Sequence, residues 1–340
     1  MKKMSKIERV KAAITGEEVD RVPISLWQHF PWADQDPKTL AETQLAFQKK
    51  FDLDFVKCMP FGLYSTADYN KSMIKIFGGF EPPIVEKTKI KSIDEWGGLS
   101  VLDPYQGVLG EQIKNLEYLN EGLNNEVPFV QTIFSPLTTL VKIGGSRVFK
   151  DIETNPDLIH EVLKVVCKTT IDFSRASIEA GASGLFFATQ CATEEVMTVD
   201  AYKEFGLKYD LEILEDIKNE SWFNIFHLHG VNIMTDIIKD LPVQCINWHD
   251  RRTYPSLKEG LDIFAGKCLM GGINEKRTIM DGTLMEITDE IYDAIEQTST
   301  KNLIITPGCV APTRTPHANY YAARMAVETY NSEIKADLVV

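Results

Sequence analysis

Eight short, continuously apolar, β-prone runs recur along the chain, beginning near residues 22, 54, 129, 184, 223, 243, 267 and 302. Most are followed by a stretch whose apolar residues have helical spacing. Short apolar strands alternating with helices imply a parallel sheet covered on both faces. Eight such units fit a closed (β/α)8 TIM barrel better than an open doubly wound sheet, and no Gly-x-Gly-x-x-Gly follows the first run to bind a dinucleotide. An N-terminal amphipathic helix over 4–15 ends at Gly16, and Asp36-Pro37 starts a helix to Phe51 by N-cap and N1 chemistry. Further helices are expected over 156–180, 201–219 and 316–330. Residues 66–126 read as an insertion after the second strand, with a hairpin around 85–90, inside a single domain spanning 1–340.

In a barrel of this kind the reactive groups gather just past the C-terminal strand ends. Four of the six histidines fall there, His29, His227, His229 and His249, together with Cys191 and Cys309. The run Phe223-Asn-Ile-Phe-His-Leu-His-Gly230 is the most pointed of these places. Side chains alternate along a strand, so His227 and His229 share one face, with Phe226 and Leu228 on the other. Cys309 ends the last strand in a Pro-Gly-Cys turn. Two imidazoles and a thiolate make a three-ligand set with an open coordination position, as in a catalytic zinc site. The competing readings are a hydrogen-bonded histidine pair and a buried structural thiol.

Asn247, His249 and Asp250 follow the sixth run and are candidate catalytic groups, as acid, base or substrate anchor; alternatively Asp250 simply pairs with Arg251. Trp27, His29, Trp32, Tyr64 and Gln190 are candidate substrate-binding residues, the aromatics either lining a pocket for a flat molecule or plugging the barrel mouth.

A net charge of −13 argues against nucleic-acid and anionic-membrane partners. No run reaches the length of a membrane span, and the N-terminus lacks the apolar stretch of a secretion signal. The six cysteines are scattered singly, which suits a reducing cytoplasm. A homodimer stays open beside a monomer.

The segment from Glu8 to Pro23 resembles the opening of the uroporphyrinogen decarboxylase superfamily. So do Glu179-Ala-Gly-Ala-Ser-Gly184, Gly271-Gly-Ile273 and Thr306-Pro-Gly-Cys-Val-Ala-Pro-Thr-Arg-Thr-Pro316. The resemblance spans nearly the whole chain and implies that superfamily's (β/α)8 fold. True decarboxylases carry Arg-Gln-Ala-Gly-Arg-Tyr after the first strand, where this chain has Trp27-Gln-His-Phe-Pro-Trp32, and a histidine is expected where it has Cys309. The corrinoid-dependent methyltransferases of the superfamily bind zinc through His-x-Cys-Gly and a later Gly-Cys. His227 and Cys309 match two of those ligands, and His229 stands in for the first cysteine, an acceptable exchange for zinc.

The resemblance therefore implies a zinc-dependent methyltransferase, moving a methyl group between a small molecule, such as a methoxylated aromatic, and a corrinoid carried by a partner protein. The chain has no Asp-x-His-x-x-Gly cobalamin motif of its own. A metal-independent decarboxylase or lyase is the alternative, and a non-catalytic corrinoid- or tetrapyrrole-binding protein is a third reading.

Overall fold

The computed structural model describes residues 3–70, 72–88, 90–238 and 241–337. Seven strands form one parallel sheet: β1 (Val56–Cys58), β4 (Phe129–Phe134), β5 (Gly184–Thr189), β6 (Ile225–Leu228), β7 (Cys245–Trp248), β8 (Cys268–Ile273) and β9 (Leu303–Pro307), neighbours in that order. Between β1 and β4 lies a separate antiparallel hairpin, β2 (Ser72–Lys75) with β3 (Ile84–Thr88).

The first apolar run does not form a regular strand, but it lies between the two edges of this sheet. Ser25 N–H donates to the Ile305 carbonyl at 3.0 Å, and Ile305 N–H to the Pro23 carbonyl at 2.9 Å. On its other side, Asp54 N–H donates to the Ile24 carbonyl at 2.9 Å. The curled sheet is thus bridged by segment 22–28, in keeping with the barrel-type architecture read from the eight runs.

Alternation along the strands sorts two cores. Phe55, Val130, Phe186, Ala188, Ile225, Cys245, Met270 and Ile304 pack with Trp27 inside the sheet's curl. Ile133, Leu185, Phe187, Phe226, Leu228, Ile246, Leu269 and Ile305 face out and pack under the helices. Parallel strands buried on both sides have no polar phase, hence the continuous apolar runs in the sequence.

The helices begin where the caps predict. Ser5 and Glu8 form a capping box at the start of the helix Lys6–Thr15, which Gly16 closes at φ 73°. Asp36 caps Pro37–Phe51 through the Thr39 N–H. The long helix Pro156–Glu179 matches expectation, the one expected over 316–330 runs further, His317–Asp337, and the helix expected over 201–219 runs Val199–Tyr202, a π-turn Lys203–Leu207, then Lys208–Ile217. Within 66–126, the hairpin is joined by the helix Gly107–Leu123, the crossover that a parallel β1-to-β4 connection requires.

Below the barrel, buried Asp54 accepts from Arg9 Nη1 at 2.7 Å and from Arg21 Nη1 at 2.6 Å. This network fastens the N-terminal helix to the start of β1. All six cysteines are free. Among the described residues no helix is long and apolar enough to cross a membrane.

Candidate metal centre

The inward phase of β6 runs through Ile225 to His227 and continues to His229 just past its end. In β7 the inward phase runs through Cys245 and Asn247 to His249. The register pairs His227 with Asn247 directly. Cys309 arrives from the turn after β9. That turn needs Gly308: a Cβ there would meet the His249 Cα and the Trp248 carbonyl oxygen, each at 2.9 Å. Without a side chain at 308, the end of β9 can lie against the end of β7 and present Cys309 to the histidines.

One nitrogen or sulfur from each of His227, His229, His249 and Cys309 lies within 4.8 Å of all the others. His249 Nε2 stands 3.4 Å from His229 Nδ1, and Cys309 Sγ stands 3.5 Å from the same nitrogen. Ligands arranged tetrahedrally around zinc stand about 3.3–3.5 Å apart, given Zn–N near 2.0 Å and Zn–S near 2.3 Å.

Neighbouring groups turn the ring lone pairs toward the same spot. His227 Nδ1 meets Asn247 Oδ1 at 2.6 Å, while the Asn247 amide Nδ2 donates to the Met270 carbonyl at 2.8 Å. That pairing makes Oδ1 the acceptor of a His227 Nδ1–H, leaving Nε2 free. His249 Nδ1 lies 2.9 Å from Glu275 Oε1, so that carboxylate accepts the Nδ1–H and leaves His249 Nε2 free. Carboxylate and amide partners of this kind fix the tautomer of metal-binding histidines.

Electrostatics suit the same role. Burial, with His229 and His249 nearby, holds the His227 pKa well below its usual value. Burial, with His249, Lys142 and Lys276 nearby, lowers His229 to about 4. Both rings are therefore neutral with a lone pair to share at pH 7. Burial raises the Cys309 thiol to about 11, so a metal taking its sulfur must displace the proton. Glu275 is drawn down to about 2; burial opposes ionisation, but hydrogen bonds from His249 and Arg252 outweigh it. The donor set fits a zinc ion: three imidazoles, those of His227 and His229 held neutral, and one displaceable thiol proton, with oriented partners for His227 and His249.

Above these groups opens a cavity of about 290 Å³. His227, His229 and Cys309 form part of its wall, and so do Trp27, His29 and Gln190, three of the five expected substrate-binding residues. Trp32 and Tyr64 do not line it. Trp32 is 45% exposed and stacks edge-on against Phe80 of the hairpin loop, whereas Tyr64 is buried with its hydroxyl donating to the Thr132 carbonyl at 2.7 Å. The aromatic walls come instead from Trp27, Phe134 and Phe186.

Of the three candidate catalytic residues, only His249 presents a free atom to the metal cluster. Asn247 spends both ends of its amide on orientation. Asp250 turns away beneath Gly271 and accepts the Gly272 N–H at 3.0 Å.

Glu275 lies two residues past the end of β8, where strand alternation no longer says which way a side chain points. Lys57, by contrast, is marked by strand phase. A lysine in the run Asp54-Phe-Val-Lys-Cys-Met59, in phase with inward Phe55 and Met59, must put its charge inside the barrel. Its ammonium lies 4.4 Å from the Phe186 ring centre and 2.9 Å from Met59 Sδ.

The uroporphyrinogen decarboxylase (URO-D) family model matches residues 5–330. A methylcobamide:CoM methyltransferase of Methanosarcina mazei is 22% identical over 331 residues, 92% of this chain and 94% of that protein. A uroporphyrinogen decarboxylase of Nitrosomonas europaea is 32% identical over 148 residues, 42% of this chain and 39% of that protein. Among solved structures, a methyltransferase from Methanosarcina mazei superposes with a TM-score of 0.85 at 21% identity, covering 96% of this chain and 99% of that one. A B12-independent methionine synthase from Shewanella matches with a TM-score of 0.58 at 13% identity, over 94% and 99% of the two chains.

Proposed function

The chain belongs to the uroporphyrinogen decarboxylase (URO-D) family, and from that membership we propose that it is a zinc-dependent methyltransferase working with a corrinoid on a separate protein. The convergence of free donor atoms from His227, His229, His249 and Cys309 at the wall of a cavity carries the reading. The full-length similarity to a methylcobamide:CoM methyltransferase supports the corrinoid partner.

His227, His229 and Cys309 would hold the ion, and His249, the fourth donor within reach, would give up its place to the reacting atom or share a five-coordinate ion with it. When bound there, zinc supplies Lewis acidity to the atom that gives up or takes the methyl group. One thiolate among imidazoles leaves more positive charge at the site than a thiolate-rich set, which favours an ether or acidic oxygen over an already soft thiol. Asn247 and Glu275 hold the rings of His227 and His249 in place. Trp27, Phe134 and Phe186 make a dry wall for a small methoxylated aromatic, and they exclude water from the reacting oxygen.

The purified protein is expected to carry about one zinc per chain, and His227→Ala and Cys309→Ala to lose it. With a reduced corrinoid protein, a panel of methoxylated donors should give the absorbance change from cobalt(I) to methylated cobalt(III). Zinc content unchanged in both variants would remove the metal site. Thiols accepting methyl from methylcobalamin while no ether donates would reverse the direction, and transfer in neither direction with any corrinoid partner would end the methyltransferase reading.

A further inference from the structure

Two ammonium groups stand in the otherwise largely apolar wall of the cavity. Lys57 and Lys142 both line it, as do the Trp27 indole and His29, whose Nε1 and Nδ1 respectively are buried without a hydrogen-bond partner among the described residues. No aspartate or glutamate stands among the described residues of its wall, although the chain carries 49 acidic residues and a net charge of −13. Lys57 is 4% exposed, and among the described residues its ammonium meets the Met59 sulfur and the faces of Trp27 and Phe186. Lys142, on the helix Pro136–Gly144 after β4, lies over the Phe134 ring at 4.5 Å. Neither forms an ion pair with a carboxylate among the described residues, and burial keeps the nearby Cys58, Cys191 and Cys309 thiols protonated.

An ammonium withdrawn from water without a counter-charge is costly, and two of them facing one cavity are more so. A metal ion held by one thiolate adds to the positive charge there. What is missing is an anion, and it must come with the occupant.

We propose that the small molecule exchanging its methyl group in this cavity is an organic acid, whose carboxylate sits between Lys57 and Lys142. The indole N–H of Trp27 is a further donor to it, and the methyl-bearing end points toward His227, His229 and Cys309. The identity of the occupant as the methyl-exchanging molecule rests on the methyltransferase reading; the charge preference of the cavity does not. This assignment restores, with lysines from β1 and the helix after β4, the cationic anchors that the segment Trp27-Gln-His-Phe-Pro-Trp32 lacks.

The test is calorimetric binding to the zinc-loaded protein of matched pairs: 3-methoxybenzoate against 3-methoxybenzamide, and methoxyacetate against methoxyacetamide. Each acid is expected to bind about 10- to 100-fold more tightly than its amide, the usual worth of a hydrogen bond to a charged group. Lys57→Met and Lys142→Met should each erase most of that preference while leaving zinc content unchanged. Equal binding of acids and amides, or no binding by either acid, overturns the proposal. So does a preference that survives both substitutions and disappears only on zinc removal, since the metal would then be the anion's partner. Acid preference without methyl transfer would leave the carboxylate site between Lys57 and Lys142 standing and defeat the methyltransferase reading; transfer from neutral donors without acid preference would do the reverse.

Discussion

Glu275 is 1% exposed, and one of its oxygens takes both the His249 Nδ1–H at 2.9 Å and an Arg252 Nη1–H at 2.7 Å. It touches neither cavity nor cluster atom, so its work is to fix which His249 nitrogen carries the proton. Glu275→Gln keeps the size and removes the charge. Zinc affinity is expected to fall about 10- to 100-fold, the usual cost of losing such a partner. Chelator competition measures it, and an unchanged affinity would exclude His249 from the ligand set. The pair His227 and His229 was legible from a two-residue period alone, and Cys309 from its strand-end turn. The convergence of His249 on them was not, because the direction of its ring depends on a carboxylate 26 positions later in the chain. Trp32 and Tyr64 failed as pocket residues because nearness to a strand end in sequence does not give side-chain direction. Each is claimed by a neighbour, Phe80 or the Thr132 carbonyl.

Helix against strand, the most exposed energetic weakness is Asp210, fully buried in the helix Lys208–Ile217 behind β5. The Tyr202 hydroxyl donates to its Oδ2 at 2.5 Å, while Oδ1 has no partner among the described residues. Burial raises its pKa from 3.8 to about 7, the Tyr202 hydrogen bond opposing only in part. The folded protein therefore holds this proton where the unfolded chain has lost it. Its contribution is complete below pH 3.8 and drains away as pH rises to about 7, with each pH unit in that window worth about 1.4 kcal/mol. Asp210→Asn keeps an acceptor for Tyr202 and abolishes the ionisation. It should melt several degrees higher than the unaltered protein near pH 8, with the gap shrinking toward pH 5; a gap independent of pH would show that Asp210 does not titrate in this range. At this level the sequence was most readable where burial is two-sided, since β4 to β9 announce themselves as apolar runs. The hairpin was half seen: residues around 85 alternate, but β2 carries a one-residue register irregularity at Met73/Ile74, and exposed Met73 and Ile84 leave no clean inward phase.

For the molecule as a whole, family membership and cavity shape pull apart, and the difference makes a last prediction. The uroporphyrinogen decarboxylase similarity at 32% identity covers 42% of this chain, while the methyltransferase similarity runs through 92% of it at 22%. The cavity at the strand ends is about 290 Å³, at the small end of ligand pockets, and no arginine lines it among the described residues. A tetrapyrrole needs a far wider bowl and a cation for many of its carboxylate arms, preferably the bidentate fork of arginine. Lys57 and Lys142 can hold one acidic group between them but cannot encircle a macrocycle. Pro82 and Pro83, from the segment joining β2 to β3, stand at the same wall and narrow the entrance further. Uroporphyrinogen III should therefore not be decarboxylated at ordinary enzyme turnover, with or without zinc. Anaerobic incubation followed by chromatography of the oxidised porphyrins decides it. A steady yield of coproporphyrin would mean that the hairpin swings clear of the mouth, and the small-acid cavity described above would then be only one state of a larger site.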